Sequence, residues 1–255
     1  MSTTLLATIG IMSAMPQESS AILDLIKDQE VVQIGIRKII KGTFQGVPVV
    51  FTPSGVGKVS AAVTTTLLII EFGVDEIVYT GVAGGGAGVD VGDIVIGSSY
   101  LQHDLILPSN YPLFYIFSLD AQVLHATPAQ VTKMKAAVDR YLHKGVSFPD
   151  LGIKKPKVHV GTIVSGDQFI SNSQAQEKIV KLTKELLPNG FQAIEMEGCA
   201  VAQVCKELNV PFVIFRSISD KADHKAEVDF LSFIDDVATK YTLGILKEYI
   251  HTKEL

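Results

Sequence analysis

Apolar residues in this chain gather in short continuous runs, separated by longer stretches where they recur at three- and four-residue spacing. The runs read as buried strands and the spaced stretches as amphipathic helices. The pattern predicts a strand over 5–11, then a helix that Pro16 opens and that carries Ile22, Leu25 and Ile26 on its apolar face. Two or three short strands over 34–52, turning at Gln45-Gly46, predict a hairpin and therefore a mixed sheet. A helix is expected over 59–72, a strand at 76–80, a Gly-rich loop at 81–86 and a strand from Ile94 towards His103. An irregular aromatic insertion, 105–119, precedes a helix over 128–143, a strand over 158–164 and a helix over 173–186.

The densest stretch is 191–220. A short extended segment, 193–196, ends in Glu195 and Glu197, and Gly198 then opens a helix with Val201, Val204, Cys205 and Leu208 on one face. Pro211 stops it, and 212–215 reads as a buried strand that delivers Arg216, Ser217, Ser219 and Asp220 at its end. A last helix begins near Phe230. Strands and helices alternate without a repeat or linker, which predicts one three-layer α/β/α domain over 1–255 with a mixed central sheet.

With 255 residues, 47% of them hydrophobic and 19% charged, the chain has the composition of a folded protein with one large core. A net charge of −5 and the lack of a basic run argue against nucleic acid or an anionic membrane as partner. Cys199 and Cys205 are the only cysteines. Six residues apart on one helix they are too distant to bond, and they read as buried free thiols of a reducing, cytoplasmic compartment. No basic region precedes the apolar stretch 5–12, which argues against a signal peptide. No apolar run reaches the length of a membrane span.

Polar groups at the end of a buried strand are where open α/β sheets place ligands. Ser219-Asp220 could equally cap a following helix, and Glu18 could serve only the dipole of the helix that it opens. Ser54-Gly55-Val56-Gly57-Lys58 resembles a phosphate-binding turn, yet the GxxxxGK[ST] spacing is absent, which excludes a nucleoside triphosphate site. Its glycines, like those of 81–86, allow backbone to approach a ligand closely.

Several segments together carry a resemblance: Ala14-Met15-Pro16-Gln17-Glu18, Ser54 to Val59, Gly81-Val82-Ala83-Gly84, Val91-Gly92-Asp93-Ile94, His103-Asp104, Ser165-Gly166-Asp167-Gln168-Phe169, Glu195-Met196-Glu197-Gly198 and Arg216-Ser217-Ile218-Ser219-Asp220. In this order they resemble the 5'-methylthioadenosine/S-adenosylhomocysteine nucleosidases of the nucleoside phosphorylase superfamily. The match spans nearly the whole chain.

The resemblance implies hydrolysis of an adenine N-glycosidic bond, a chemistry that needs a proton for the leaving base, a positioned water and no metal or organic cofactor. Asp220 then corresponds to the acid that protonates adenine N7, with Ser219 orienting it, and must hold a proton beforehand. Glu18 corresponds to the residue that activates water, and Arg216 to the one that helps arrange it. Glu197 corresponds to the acceptor of the ribose hydroxyls, Met196 to a contact on the sugar, Phe169 to a ring stacked on adenine and Ile170 to backbone that reads its edge. Val56, Val82, Ala83, Gly84, Glu195 and Phe230 complete the implied substrate contacts. The family also implies a homodimer in which the insertion reaches the neighbour's 5' pocket.

Two departures stand out. Val82 occupies a position where some members carry a small hydroxyl residue, and 105–119 does not match the usual loop at the 5' substituent. A phosphorylase of the same superfamily would need a cation for phosphate where this chain has Tyr79, and acidic Glu18 would repel that anion. A nucleoside-binding protein without turnover is the third reading, against which stands the joint presence of Glu18, Glu197 and Asp220.

Overall fold

A computed structural model describes residues 7–18, 20–222 and 233–251. The first strand, β1, is Ile9–Ser13, and is followed by a 3₁₀ turn Pro16–Glu18 and a one-turn helix α1, Ser20–Leu23. The expected longer helix through Leu25 and Ile26 is therefore not formed. Instead a strand that the apolar pattern did not mark, β2 (Lys27–Ile34), runs along the sheet edge with mostly exposed side chains. An edge strand exposed to water needs no apolar face. It pairs with β3 (Arg37–Phe44), which turns at Gln45-Gly46 into β4 (Val47–Pro53), as the hairpin reading expected.

The core then alternates α2 (Lys58–Ile70), β5 (Glu76–Thr80), β6 (Val82–Gly85), β7 (Ile94–Gln102), β8 (Leu124–His125), α3 (Pro128–Leu142), β9 (Val158–Ser165), α4 (Ser173–Thr183), β10 (Ala193–Glu195), α5 (Gly198–Glu207) and β11 (Phe212–Asp220). A π-helical turn, Ile234–Ala238, leads into α6 (Thr239–His251). The Gly-rich segment expected as a loop is largely strand β6, and β11 continues through Asp220 instead of stopping at Phe215. The start of the last helix near Phe230 lies outside the described residues.

Strand order is β2-β3-β4-β1-β5-β11-β6-β10-β9-β7-β8, with parallel and antiparallel pairs, and β7 also pairs with β11. The strands β11, β6, β10, β9 and β7 thereby close into a ring, so the expected mixed sheet is curled at one end. Its faces are covered differently. Ile9, Ile11, Val78 and Val213 pack with α3 and α6 through Met134, Tyr241 and Ile245. Met12, Ile77, Tyr79 and Ile214 pack with α2 and α5 through Ala61, Leu68, Val201 and Cys205. Helices on both faces explain why the strands read as continuous apolar runs. Cys199 and Cys205 are buried and free. Leu208, expected on the buried face of α5, is 37% exposed where the helix ends.

Within the insertion, Phe114 is fully buried with Leu101, Val164 and Ile170. Tyr111, Leu113 and Phe117 remain exposed.

Candidate active site

The ends of β1, β6, β10 and β11 converge on one cavity of about 630 Å³ including its open mouth. Glu18 reaches it from the 3₁₀ turn after β1. Its Oε2 accepts the N–H of Met15 at 2.7 Å, and its Oε1 accepts the N–H of Val82 on β6 at 3.1 Å. The carboxylate thus closes its own turn, as the dipole reading expects, and also faces the cavity. Burial pushes its pKa up, against the pull of the Arg216 charge and of these backbone donors.

Asp220 stands at the far end of β11, where the pairing with β6 slips: Ile218 faces Ala83, but Asp220 faces Gly84. The bulge at Ser219 turns Asp220 towards the cavity. Ser219 Oγ donates to Asp220 Oδ2 at 2.7 Å, and the Ala222 N–H donates to Oδ1 at 2.7 Å. A Cβ on Gly84 would come within 3.1 Å of Asp220 Oδ1, so a side chain there would crowd the carboxyl.

Glu197 opens α5, and its Oε1 accepts the N–H of Gly57, the residue before α2. Gly57 has φ of +91°, a conformation that favours glycine. Burial and the neighbouring Glu195 charge push the Glu197 pKa up to about 8, with Arg216 opposing. Met196, Ile170, Ala83 and Gly84 line the same space, while Val56 and Phe169 line it with 53% and 40% of their surface exposed.

Arg216 does not line the cavity. It lies buried behind it, with its guanidinium 4.2 Å from the Tyr79 ring centre and Nη2 2.5 Å from Glu195 Oε2. Burial opposes its charge, but Glu195, Tyr79, Glu197 and Glu18 together hold it more firmly protonated than usual. Glu195 borders the cavity, yet its carboxylate turns inward to Arg216, Ser165 and the α5 amides. Phe230 lies outside the described residues. Lys58 is committed as well, with Nζ 2.6 Å from Asp104 Oδ1.

Ala14, Met15, Gln168 and Ile194 also line the cavity and were not singled out as site residues in the sequence. Ala14, Met15 and Gln168 belong to the motif segments named in the sequence, a membership that could have found them; Ile194 adjoins Glu195 but lies outside those segments. Among the described residues no group of three or more His, Cys, Asp or Glu could hold a metal ion, and no helix is long and apolar enough to cross a membrane.

A family model described as "Phosphorylase superfamily" matches residues 8–251. The chain belongs to the phosphorylase superfamily. It is 32% identical over 252 residues to the 5'-methylthioadenosine/S-adenosylhomocysteine nucleosidase of Mycobacterium bovis, covering 94% of this chain and 96% of the relative. Among solved structures, the same-named nucleosidase of Neisseria meningitidis in complex with methylthio-immucillin-A superposes with a TM-score of 0.81 at 31% identity, covering 96% of this chain and 99% of the other. A futalosine hydrolase mutant of Helicobacter pylori gives a TM-score of 0.83 at 29% identity, with the same coverage. The resemblance drawn from the sequence motifs, and the phosphorylase-like α/β fold that it implied, are thus shown.

Proposed function

We propose that this superfamily member is an N-glycosyl hydrolase that releases adenine from 5'-methylthioadenosine. The observation that carries the reading is that Glu18, in the turn after the first strand, and Asp220, at the end of the last, line one cavity with Glu197 between them in sequence. Asp220 gives its proton to N7 of the base as the C1'–N9 bond breaks, and the bonding pair leaves with adenine. A water held by Glu18 gives its proton to that carboxylate while its oxygen bonds to C1'. Glu197 accepts the ribose hydroxyls, Phe169 and Ile170 hold the base, and Arg216 acts from behind through its charge on Glu18 and Glu197.

Hydrolysis is favoured over phosphorolysis by the commitment of the nearby cations: Arg216 is paired with Glu195, and Lys58 with Asp104. The likeness to proteins named for methylthioadenosine, S-adenosylhomocysteine and futalosine leaves the choice among these nucleosides as the variable. Adenine release from methylthioadenosine and S-adenosylhomocysteine, and base release from futalosine, each measured with and without phosphate, test the reading. Phosphate-independent release of adenine from methylthioadenosine is the expected result; a strict phosphate requirement, or no turnover, overturns it.

The same proposal includes one catalytic unit over 1–255, a cytoplasmic location and a homodimer. The free buried thiols support the location. Support for the dimer comes from large apolar side chains left exposed: Val59, Val63 and Ile70 on α2, and Tyr111, Leu113 and Phe117 in the insertion.

A further inference from the structure

We propose that Glu195 is a positioning residue: its carboxylate keeps the Arg216 guanidinium from pairing with Glu197, and so leaves Glu197 free to receive the ribose. This rests on the nucleosidase reading above.

The carboxylate of Glu195 has no capacity left for a ligand. Its Oε2 accepts from Arg216 Nη2 at 2.5 Å and Nε at 3.2 Å, from the Gly198 N–H at 2.8 Å and from the Glu197 N–H at 3.2 Å. Its Oε1 accepts from Ser165 Oγ and, at 2.9 Å, from the Gly198 N–H. An ionised carboxylate offers about four acceptor sites, and these donors fill them. Ser165 Oγ in turn accepts the Cys199 N–H at 2.8 Å. One side chain therefore ties together the end of β9, the first turn of α5 and the middle of β11.

Two carboxylates compete for one guanidinium here. Arg216 Nη2 lies 2.5 Å from Glu195 but only 3.8 Å from Glu197 Oε2. Arg216 is 1% exposed, and a buried cation does not remain unpaired. If Glu195 loses its charge, the carboxylate already closest to the guanidinium is Glu197. The pair that forms then removes Glu197 from the cavity, and the chemistry at Asp220 is left intact. Burial also raises the proton affinity of Glu197, which an ion pair with Arg216 would reverse.

Glu195→Gln tests this, because it keeps the shape and an acceptor oxygen while removing the charge. In the full-length protein, KM for methylthioadenosine is expected to rise at least about tenfold, the scale of one lost charge-assisted hydrogen bond. The preference for the ribonucleoside over its 2'-deoxy analogue should collapse alongside, with kcat less affected. Glu195→Gln combined with Glu197→Gln should lose no more selectivity than Glu197→Gln alone. A purely structural role lowers thermal stability but leaves the selectivity ratio unmoved, and that result overturns the proposal. Should Glu195→Gln fail to fold, Glu195→Gln with Arg216→Met removes both buried charges and is expected to fold and, whatever its turnover, to bind the ribonucleoside more tightly than its 2'-deoxy analogue, because no guanidinium remains to draw Glu197 away. Loss of selectivity in that double variant counts against the proposal. An unaltered protein that releases no adenine, or that ignores the 2'-hydroxyl, overturns the nucleosidase reading and this inference with it; a discriminating enzyme indifferent to Glu195→Gln overturns this inference alone.

Discussion

The Gly57 N–H donates to Glu197 Oε1 at 2.8 Å across a sequence separation of 140 residues. The backbone before α2 thereby fixes one oxygen of Glu197, while the other lies 3.8 Å from Arg216 Nη2. Glu197→Gln should weaken discrimination between ribonucleosides and 2'-deoxy analogues by about one to two orders of magnitude in kcat/KM, because a buried acceptor without its hydroxyl donor keeps its desolvation cost. Kinetics on matched substrates measure this, and equal use of both sugars by the unaltered enzyme would contradict it.

Asp220→Asn should lower kcat by roughly 10²–10⁴-fold, the loss typical of a missing general acid. The amide oxygen can still accept the Ala222 N–H while the amide NH2 donates to Ser219 Oγ, whose hydroxyl can turn to accept, so the fold and substrate affinity should change little. Single-turnover rates with near-normal chemistry would remove Asp220 from this role.

Glu18 must be ionised to take a proton from water, and burial raises its pKa above 4.5. The acid limb of the kcat/KM profile should therefore lie above the ordinary carboxylate range, with rate rising as pH rises through it. Glu18→Gln should abolish that limb together with turnover while ligand binding persists. Stability runs the opposite way. Glu18 and Glu197 hold protons in the folded state that the unfolded chain has already lost, so the ligand-free protein should become less stable as pH rises from 4.5 towards about 8, the Glu197 window. Denaturant midpoints at pH 5 and pH 8 check this; a higher midpoint at pH 8 would show that other groups dominate.

A Cβ at Gly81 would sit 2.6 Å from Arg216 Nη1 and 2.8 Å from Glu18 Oε1, closer than real contacts allow. Gly81→Ala should cost ~1–3 kcal/mol of stability, as overpacking does, and should depress turnover by displacing Glu18. Thermal melts and kcat, measured on the same preparation, test both effects. Unchanged activity would mean that the Glu18 position tolerates displacement.

Phe114 and Phe117 stand close in sequence but differ in burial, with Phe114 1% and Phe117 59% exposed. Phe114 packs in the cluster that contains Ile170, so replacing it tests folding and the cavity wall together. Phe117→Ser is the cleaner probe of association. It should weaken the proposed dimer and raise KM for methylthioadenosine, as read by sedimentation and kinetics; a fully active monomer of the unaltered chain would exclude the dimer.

The sequence alone determined most of the element order, because both periods are strong where helices cover a strand on either side. Val78 and Val213 announce buried strands, and Gln45-Gly46 announces a hairpin, through local preferences that need no distant partner. The motifs at Glu18, Glu197 and Asp220 were legible for the same reason: each is a polar group at the end of an apolar run. Edge strand β2 was not, since its exposed side chains carry no apolar period. Likewise β6 is held as a strand by its pairing with β10 and β11, which glycine content cannot reveal. Only the tertiary structure decided what each carboxylate does with its charge. Glu195 and Glu197 are two residues apart and alike in sequence, yet one is saturated by Arg216, Ser165 and Gly198 while the other is held by Gly57 at the cavity wall. Those partners come from separate strands and helices, and a carboxylate's proton affinity and role follow from which of them folding brings within hydrogen-bond reach.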